Sequence, residues 1–261
     1  MDKKNVYKVE LGLNSKKYKE LVLIQIPAGK FLMGSPLDEP GRSTFDSEPP
    51  FEVTITRSFW LGKYLVTNMQ WLTVMKSSPY AFEERIANHP VTNVSWDDAM
   101  SFCDRLNRSM GNKISSEYMF ILPTEAQWEY ACRAGTHSVY HSGDTLDDLS
   151  RVAWHASNSA GRLHDVGELE PNGWGLFDMH GSVVEWCLDF PQSYPAYPVS
   201  DWVGLYKNPY AQLRNVRGEA WTANAESSGF RSSVRSEYFQ DTGLPYIGFR
   251  VCLGSKLMED D

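Results

Sequence analysis

No CxxC pair, no run of lysine and arginine and no apolar stretch of membrane-spanning length occurs in these 261 residues. Each absence removes a class of protein. The four cysteines, Cys103, Cys132, Cys187 and Cys252, stand 29, 55 and 65 residues apart, too scattered for a compact zinc site or a thioredoxin-like pair. They read as buried thiols, because unpaired cysteine packs as a small hydrophobe. The longest strongly apolar run, Leu21 to Ile26, is far short of the roughly 20 residues that a membrane span requires. With 25 Lys and Arg against 33 Asp and Glu, the net charge is −8, so the summed field repels nucleic acid and anionic lipid. No cationic-then-apolar signal opens the chain, which fits either a cytoplasmic protein or one whose export signal has been removed.

What is present is ordinary in bulk and unusual in detail. At 42% hydrophobic and 22% charged residues, the chain is not a disordered one. Nine Trp, 13 Tyr, 12 Phe, 19 Gly and 14 Pro suit a loop-rich fold pinned by aromatic anchors. Residues 1–20 form an N-terminal arm or edge strand. Leu21–Pro27 and Phe31–Met33 read as short strands joined at Pro27-Ala28-Gly29, and Gly34–Pro50, with four Pro, reads as a surface loop. Phe51–Trp60 alternates as one strand, Val53 and Ile55 on one face and Thr54 and Thr56 on the other.

Three helix starts carry the capping-box signature: Thr67 with Gln70, Ser95 with Asp98, and Thr124 with Gln127. After Ser95, the spacing of Trp96, Ala99, Met100, Cys103 and Leu106 is helical and turns Cys103 toward a core. Beyond Gly135 helical periodicity is absent, and Gly, Pro, Asn and Asp break the chain repeatedly. The pattern predicts an α+β domain over 21–254 with few helices, short strands and many ordered loops, followed by an acidic tail at 255–261.

Five strings in order carry a resemblance: IPAGKFLMGS (Ile26–Ser35), HPVTNVSWDDA (His89–Ala99), LPTEAQWEYACRAG (Leu122–Gly135), PNGWGLFDMHGSVVEW (Pro171–Trp186) and IGFRVC (Ile247–Cys252). From about Leu21 to Leu253 the chain resembles the formylglycine-generating-enzyme, or sulfatase-modifying-factor, family. The resemblance implies an elaborated C-type-lectin-like fold. It does not imply one activity, since the family holds copper-dependent oxidases, iron-dependent sulfoxide synthases and non-catalytic binding proteins.

The oxidases hold copper(I) between two thiolates, the soft ligands that ion prefers. Here the corresponding string reads Gly218-Glu219-Ala220-Trp221, the first expected thiol position is Ala223, and no Cys lies between Cys187 and Cys252. The synthases use a His cluster on an added helical domain, and this chain's six His are scattered. His137 and His141 have metal-ligand spacing only on a helix, and none is expected there. GxSxG and P-loop motifs are absent, and Asp97 and Asp98 read as first-turn acids favoured by the helix dipole. The resemblance also implies a calcium ion at Gly181–Trp186 held by carbonyls and Glu185, with Ser182 where the family usually has Asn. Otherwise Glu185 reads as a buried acceptor paired with an arginine or with backbone amides.

The segment Val216–Arg250 (216–250) is similar to the variable region of diversity-generating-retroelement proteins, a branch of the same fold displayed on bacterial surface lipoproteins. The matching brackets are Arg217–Trp221, Arg231–Arg235 and Ile247–Arg250. The resemblance implies that Thr222, Ala223, Asn224, Glu226, Ser227, Ser236, Glu237, Tyr238, Phe239, Asp241, Thr242, Leu244 and Tyr246 are substituted ligand-binding positions. Their mixture of aromatics and small polar residues is the one antibody loops use for adaptable recognition. Trp221, Phe230, Ile247 and Phe249 read as core anchors, and Arg217, Arg231, Arg235 and Arg250 as a fixed frame, with Glu185 or Asp178 as candidate partners. The expectation is a non-catalytic protein binding a protein or other cell-surface ligand, exported and surface-anchored. The alternative is a modifying oxidase or other metal enzyme of the same fold.

Overall fold

A computed structural model describes residues 5–11, 20–42, 48–81, 83, 86–204 and 212–256. Most of the acidic tail, 257–261, lies outside the described residues. Three small sheets surround one main core. The first is antiparallel and five-stranded in the order β1 (Val6–Glu10), β2 (Glu20–Ile26), β5 (Phe59–Gly62), β12 (Cys252–Ser255), β6 (Tyr118–Ile121). The segment before Leu21 thus supplies β1, an edge strand paired with β2. The second sheet has β3 (Gly29–Met33), β4 (Phe51–Ile55) and β8 (Val199–Ser200), and the third runs β10 (Arg235–Phe239), β9 (Leu213–Arg217), β7 (Val184–Trp186), β11 (Ile247–Gly248).

One strand expectation needs correction. Phe51–Trp60 is two strands in two sheets, because Thr56–Ser58 leaves the ladder. There Asp201 accepts hydrogen bonds from the Thr56 N–H (2.9 Å) and hydroxyl (2.5 Å). Likewise β2 and β3, though joined at Pro27-Ala28, pair in different sheets. Alternation does hold within β4: Phe51, Val53 and Ile55 are buried, and Glu52 and Thr54 are half-buried.

The three anticipated helices are α1 (Asn68–Met75), α2 (Trp96–Met110) and α3 (Glu125–Arg133), each with a complete capping box. Their boxes satisfy the first-turn N–H groups locally, which is why short sequence windows reveal them. A fourth helix, α4 (Leu146–Val152), falls in the stretch expected to be helix-free. It carries the same device at Thr145 and Asp148, but seven residues are too few to establish a period.

All four cysteines are buried and unpaired, as expected of packed thiols. Trp71 of α1 stacks on Phe102 of α2 (5.7 Å between centroids, 9° between planes), and Phe249 meets both edge-on at 6.1 and 5.4 Å. These rings lock both helices to the segment that enters β12. Phe249→Ala should cost about 3–5 kcal/mol by leaving a cavity between them. Leu37→Ala, at 88% exposure, should leave the urea midpoint unchanged, and equal effects would overturn this placement of the core.

Candidate functional site

Four arginines frame the 216–250 segment, and each finds a carboxylate elsewhere in the chain. Arg217 on β9 is fully buried. It bonds Glu129, lies 3.3 Å from Glu125, and donates from Nη1 to the carbonyls of Ser232 (3.2 Å) and Val234 (2.7 Å). Arg235 at the start of β10 donates to Glu125 Oε2 and to the Gln192 carbonyl, both at 2.7 Å. Arg231 meets Glu39 at 2.7 Å and Glu48 at 2.8 Å. Arg250 grips both oxygens of Glu185 (2.6 and 2.9 Å) and the Gly62 carbonyl (3.0 Å). Pairing of this kind is what allows guanidinium groups to be buried at all.

Only one of the two expected partners is in place. Glu185 pairs with Arg250. Asp178 does not pair, because its carboxylate accepts from the Gly167 N–H at 2.8 Å and the residue meets Arg250 only through its carbonyl. Glu39, Glu48, Glu125 and Glu129 carry no local signature, and two of them sit in the stretch expected to be a surface loop. That stretch is drawn inward at Gly34, whose N–H donates to Glu129 Oε1 (2.9 Å) and whose carbonyl accepts from Arg133 (3.0 Å). Gly34 has φ +89°, and a Cβ there would lie 2.7 Å from the Glu48 carbonyl oxygen. Only glycine fits.

On this frame the thirteen candidate positions all reach solvent. Thr222, Asn224, Glu226, Ser236, Glu237, Phe239 and Asp241 are exposed, and Ala223, Ser227, Tyr238, Thr242, Leu244 and Tyr246 are half-buried. Phe230, Ile247 and Phe249 are core residues, but Trp221, expected among them, is only half-buried. Its N–H is fixed to the Ser182 carbonyl at 3.0 Å, while its ring stays at the surface turn. The loop closes on itself at Glu219, which accepts from the Ser227 hydroxyl at 3.1 Å. Ser227 also accepts from the Gly229 N–H at 3.2 Å, so it has a structural task beside its exposure. Tyr238 packs edge-on against Trp186 and Tyr246 (6.4 and 6.5 Å).

Three other constellations bear on chemistry. Cys132 Sγ lies 3.7 Å from His180 Nε2, a spacing that would suit a nucleophile and its base. Burial pushes the thiol up to about 12 and the imidazole well down, so both stay neutral, and neither touches solvent. His180 Nδ1 faces the Phe230 carbonyl at 2.8 Å, and its Nε2 accepts from the His141 N–H at 3.0 Å. This network assigns the Nδ1–H tautomer. Ser150 Oγ and His155 Nε2 are 3.1 Å apart, but the hydroxyl also donates to the Leu146 carbonyl. Nε2 therefore carries the proton, Nδ1 has no partner among the described residues, and His155 cannot act as base toward Ser150.

Metal centres fit no better. His137 is exposed and His141 turned inward, outside any helix, so their spacing does not converge. For copper(I), Ala223 has no sulfur and the four thiols are buried. For calcium, the Glu185 carboxylate already holds a guanidinium on both oxygens, and burial pushes its pKa up against the pull of Arg250. That donor set does not fit a divalent cation. Among the described residues no group of three or more His, Cys, Asp and Glu converges as metal ligands.

Fold and site together define a C-type-lectin-like domain whose buried arginine–carboxylate pairs carry an exposed, aromatic-rich segment. The chain belongs to the sulfatase-modifying factor enzyme 1-like domain family, whose model matches residues 11–254. It is 23% identical over 300 residues to the formylglycine-generating enzyme of Thermomonospora curvata, covering 87% of this chain and 92% of that one. It is 28% identical over 240 residues to chaperone protein LppX of Paenibacillus barcinonensis, covering 74% and 79%. Among solved structures, Treponema denticola variable protein 1 superposes with a TM-score of 0.79 at 24% identity, covering 95% and 98% of the two chains.

Two measurements check the frame. Arg231→Met should cost about 3–5 kcal/mol, because it removes the buried guanidinium that Glu39 and Glu48 share. Exposed Thr222→Ala should leave the melting temperature within a degree or so of the parent. His141 is held down to about 4 by burial, with Arg151 adding to the effect. A histidine whose pKa falls on folding contributes stability above pH 6.5 that is lost as the pH drops toward 4. The stability advantage of the parent over His141→Gln should therefore shrink across that window, and a constant difference would contradict the assignment.

Proposed function

We propose that this is a non-catalytic ligand-binding protein whose binding surface is built from Thr222 to Tyr246, of the kind that diversity-generating retroelements make variable. Its ligand is a protein or other cell-surface molecule, and the protein works exported and anchored at a bacterial surface. One observation carries the reading: all thirteen candidate positions reach solvent, while the arginines that set their loops are paired with carboxylates outside the set. Side chains can then be exchanged on the surface without disturbing what holds the loops. Tyr238, Phe239 and Tyr246 offer large contact area with few rotatable bonds, and Ser, Thr and Asn offer adaptable hydrogen bonds. The likeness to the treponemal variable protein supports the scaffold, and the surface chemistry supports the task. No helix among the described residues is long and apolar enough to cross a membrane, which fits attachment by other means.

The second reading, a modifying oxidase, draws on the relatives named formylglycine-generating enzymes. Its chemistry needs a thiol pair that Ala223 and the buried cysteines do not supply. Purified protein incubated with copper(I) and desalted should retain far less than one equivalent, and a cysteine-bearing peptide should be recovered without aldehyde. Stoichiometric copper or turnover would overturn the binding reading. The genome offers a separate check: a near-copy of the 216–250 coding segment beside a reverse-transcriptase gene, differing where the copy carries adenine. Its absence would remove the retroelement from the reading.

A further inference from the structure

The exposed segment is one-sided in charge. No lysine occurs from residue 208 to 255, and the arginines of the 222–246 stretch, Arg231 and Arg235, face inward to carboxylates. Its acids are outside: Glu226, Glu237 and Asp241 are all exposed. The N-terminus of α2 adds to them, because the Trp96 N–H donates to the Gln240 carbonyl at 2.9 Å and brings exposed Asp97 beside the turn after β10. A neighbouring cation, Arg214, is clamped between the rings of Trp96 and Phe190 at 3.7 and 3.6 Å and donates to the Leu188 carbonyl. Its guanidinium also interacts electrostatically with Asp97 and Asp189, so Glu226, Glu237 and Asp241 are the acids of this surface with no arginine partner among the described residues.

The same region has an open strand edge. β10 pairs with β9 on one side and with no strand on the other among the described residues. Beyond that ladder, the backbone of residues 236–239 makes one further bond there, from the Thr242 N–H to the Phe239 carbonyl. Edges are commonly protected by charged side chains, above all lysine, by proline or by a bulge; Ser236-Glu237-Tyr238-Phe239 has no lysine or proline, and its one charge is the exposed Glu237, which repels acidic strands and admits basic ones. Alternation sends Glu237 and Phe239 to one side and Ser236 and Tyr238 to the other. On the first side a polar recess of about 430 Å³ is lined by Gln192, Ser193, Asn215, Arg235, Ser236 and Glu237; the Arg235 guanidinium is turned to Glu125, and Glu237 is the exposed carboxylate at the wall. On the second, Tyr238 and Tyr246 present aromatic rings, which attract ammonium and guanidinium groups on their faces.

We propose that β10 is a docking edge for an extended, lysine- or arginine-bearing segment of a partner polypeptide. The partner adds a strand to β10 and places basic side chains alternately against Glu237 and against the tyrosines. Main-chain pairing supplies affinity that does not depend on the displayed residues, and the charges supply selection. The inference rests on the display reading above and narrows its ligand to one chemical class.

The test uses a fluorescein-labelled heptapeptide of alternating Lys and Thr, with its Glu–Thr counterpart, titrated by anisotropy against the full chain. Binding of the lysine peptide alone is expected. Glu237→Gln with Asp241→Asn should weaken it about tenfold, the sum of two surface ion pairs and the cation–ring contacts they orient. Glu10→Gln with Glu117→Gln, exposed acids associated with the five-stranded sheet, should change it less than twofold. The lysine peptide N-methylated at alternate residues keeps its charge but loses one edge of hydrogen bonds, and it should bind at least tenfold more weakly. Failure of the lysine peptide to bind, equal loss in both charge variants, or full binding by the N-methylated peptide overturns the proposal. None of these outcomes touches the copper or genome tests, so the display reading stands or falls separately.

Discussion

A guanidinium sealed from water must meet a carboxylate, and Arg217 imposes that requirement at the centre of this fold. Its partners Glu125 and Glu129 are successive turns of α3, and its remaining donors reach Ser232 and Val234. One side chain therefore ties helix, sheet and the approach to β10 into a single arrangement. Glu129 passes the constraint on through Gly34 and Arg133, and Glu125 through Arg235 and Asn215. Each carboxylate therefore serves two guanidinium groups, Glu125 those of Arg217 and Arg235 and Glu129 those of Arg217 and Arg133.

Such pairs are not an efficient source of net stability, since desolvating two ions offsets most of their attraction. What they provide is exclusivity. An apolar contact tolerates sliding, whereas a bidentate pair such as Arg250 with Glu185 accepts one geometry. The core supplies the bulk of the stabilisation through rings such as Trp71, Phe102 and Phe249, and the ion pairs choose which loop arrangement that core supports. A surface segment held in this way can change its side chains with little structural consequence, except where one has been drawn into the frame, as Ser227 has by Glu219.

Features encoded within four residues are legible in the sequence, and those closed over long separations are not. Thr67, Ser95 and Thr124 each announce a helix because donor and acceptor lie three positions apart. Thr145 announces α4 by the same sign and is obscured by its Gly- and Asp-rich surroundings. The frame arginines stand out by type, yet Arg231 meets Glu39 across 192 residues, and nothing near either residue marks the other. The break between β4 and β5 is hidden for the same reason: it depends on Asp201, 145 positions from Thr56. The candidate surface is legible only through the family resemblance of its brackets, while the half-buried Trp221 shows that a tryptophan in a loop-rich segment need not be an anchor.

The low-dielectric interior that makes the ion pairs exacting also quiets the thiols. Cys103, Cys187 and Cys252 are raised by burial above their ordinary range, and Cys132 to about 12, so none offers a thiolate at neutral pH. Rigidity of the frame and redox inertness are thus two consequences of one environment. A copper(I) centre would need sulfur brought to the surface turn at residue 223, where the chain has alanine packed on Phe230 and its neighbours. Placing a methyl group there removes the metal's ligand and leaves the turn intact, since the Ala223 carbonyl still accepts from the Ala156 N–H at 2.9 Å. The turn at Ala223 is thus shaped by its backbone and not by the side chain it carries, which is how one fold can present different surface groups on the same loops.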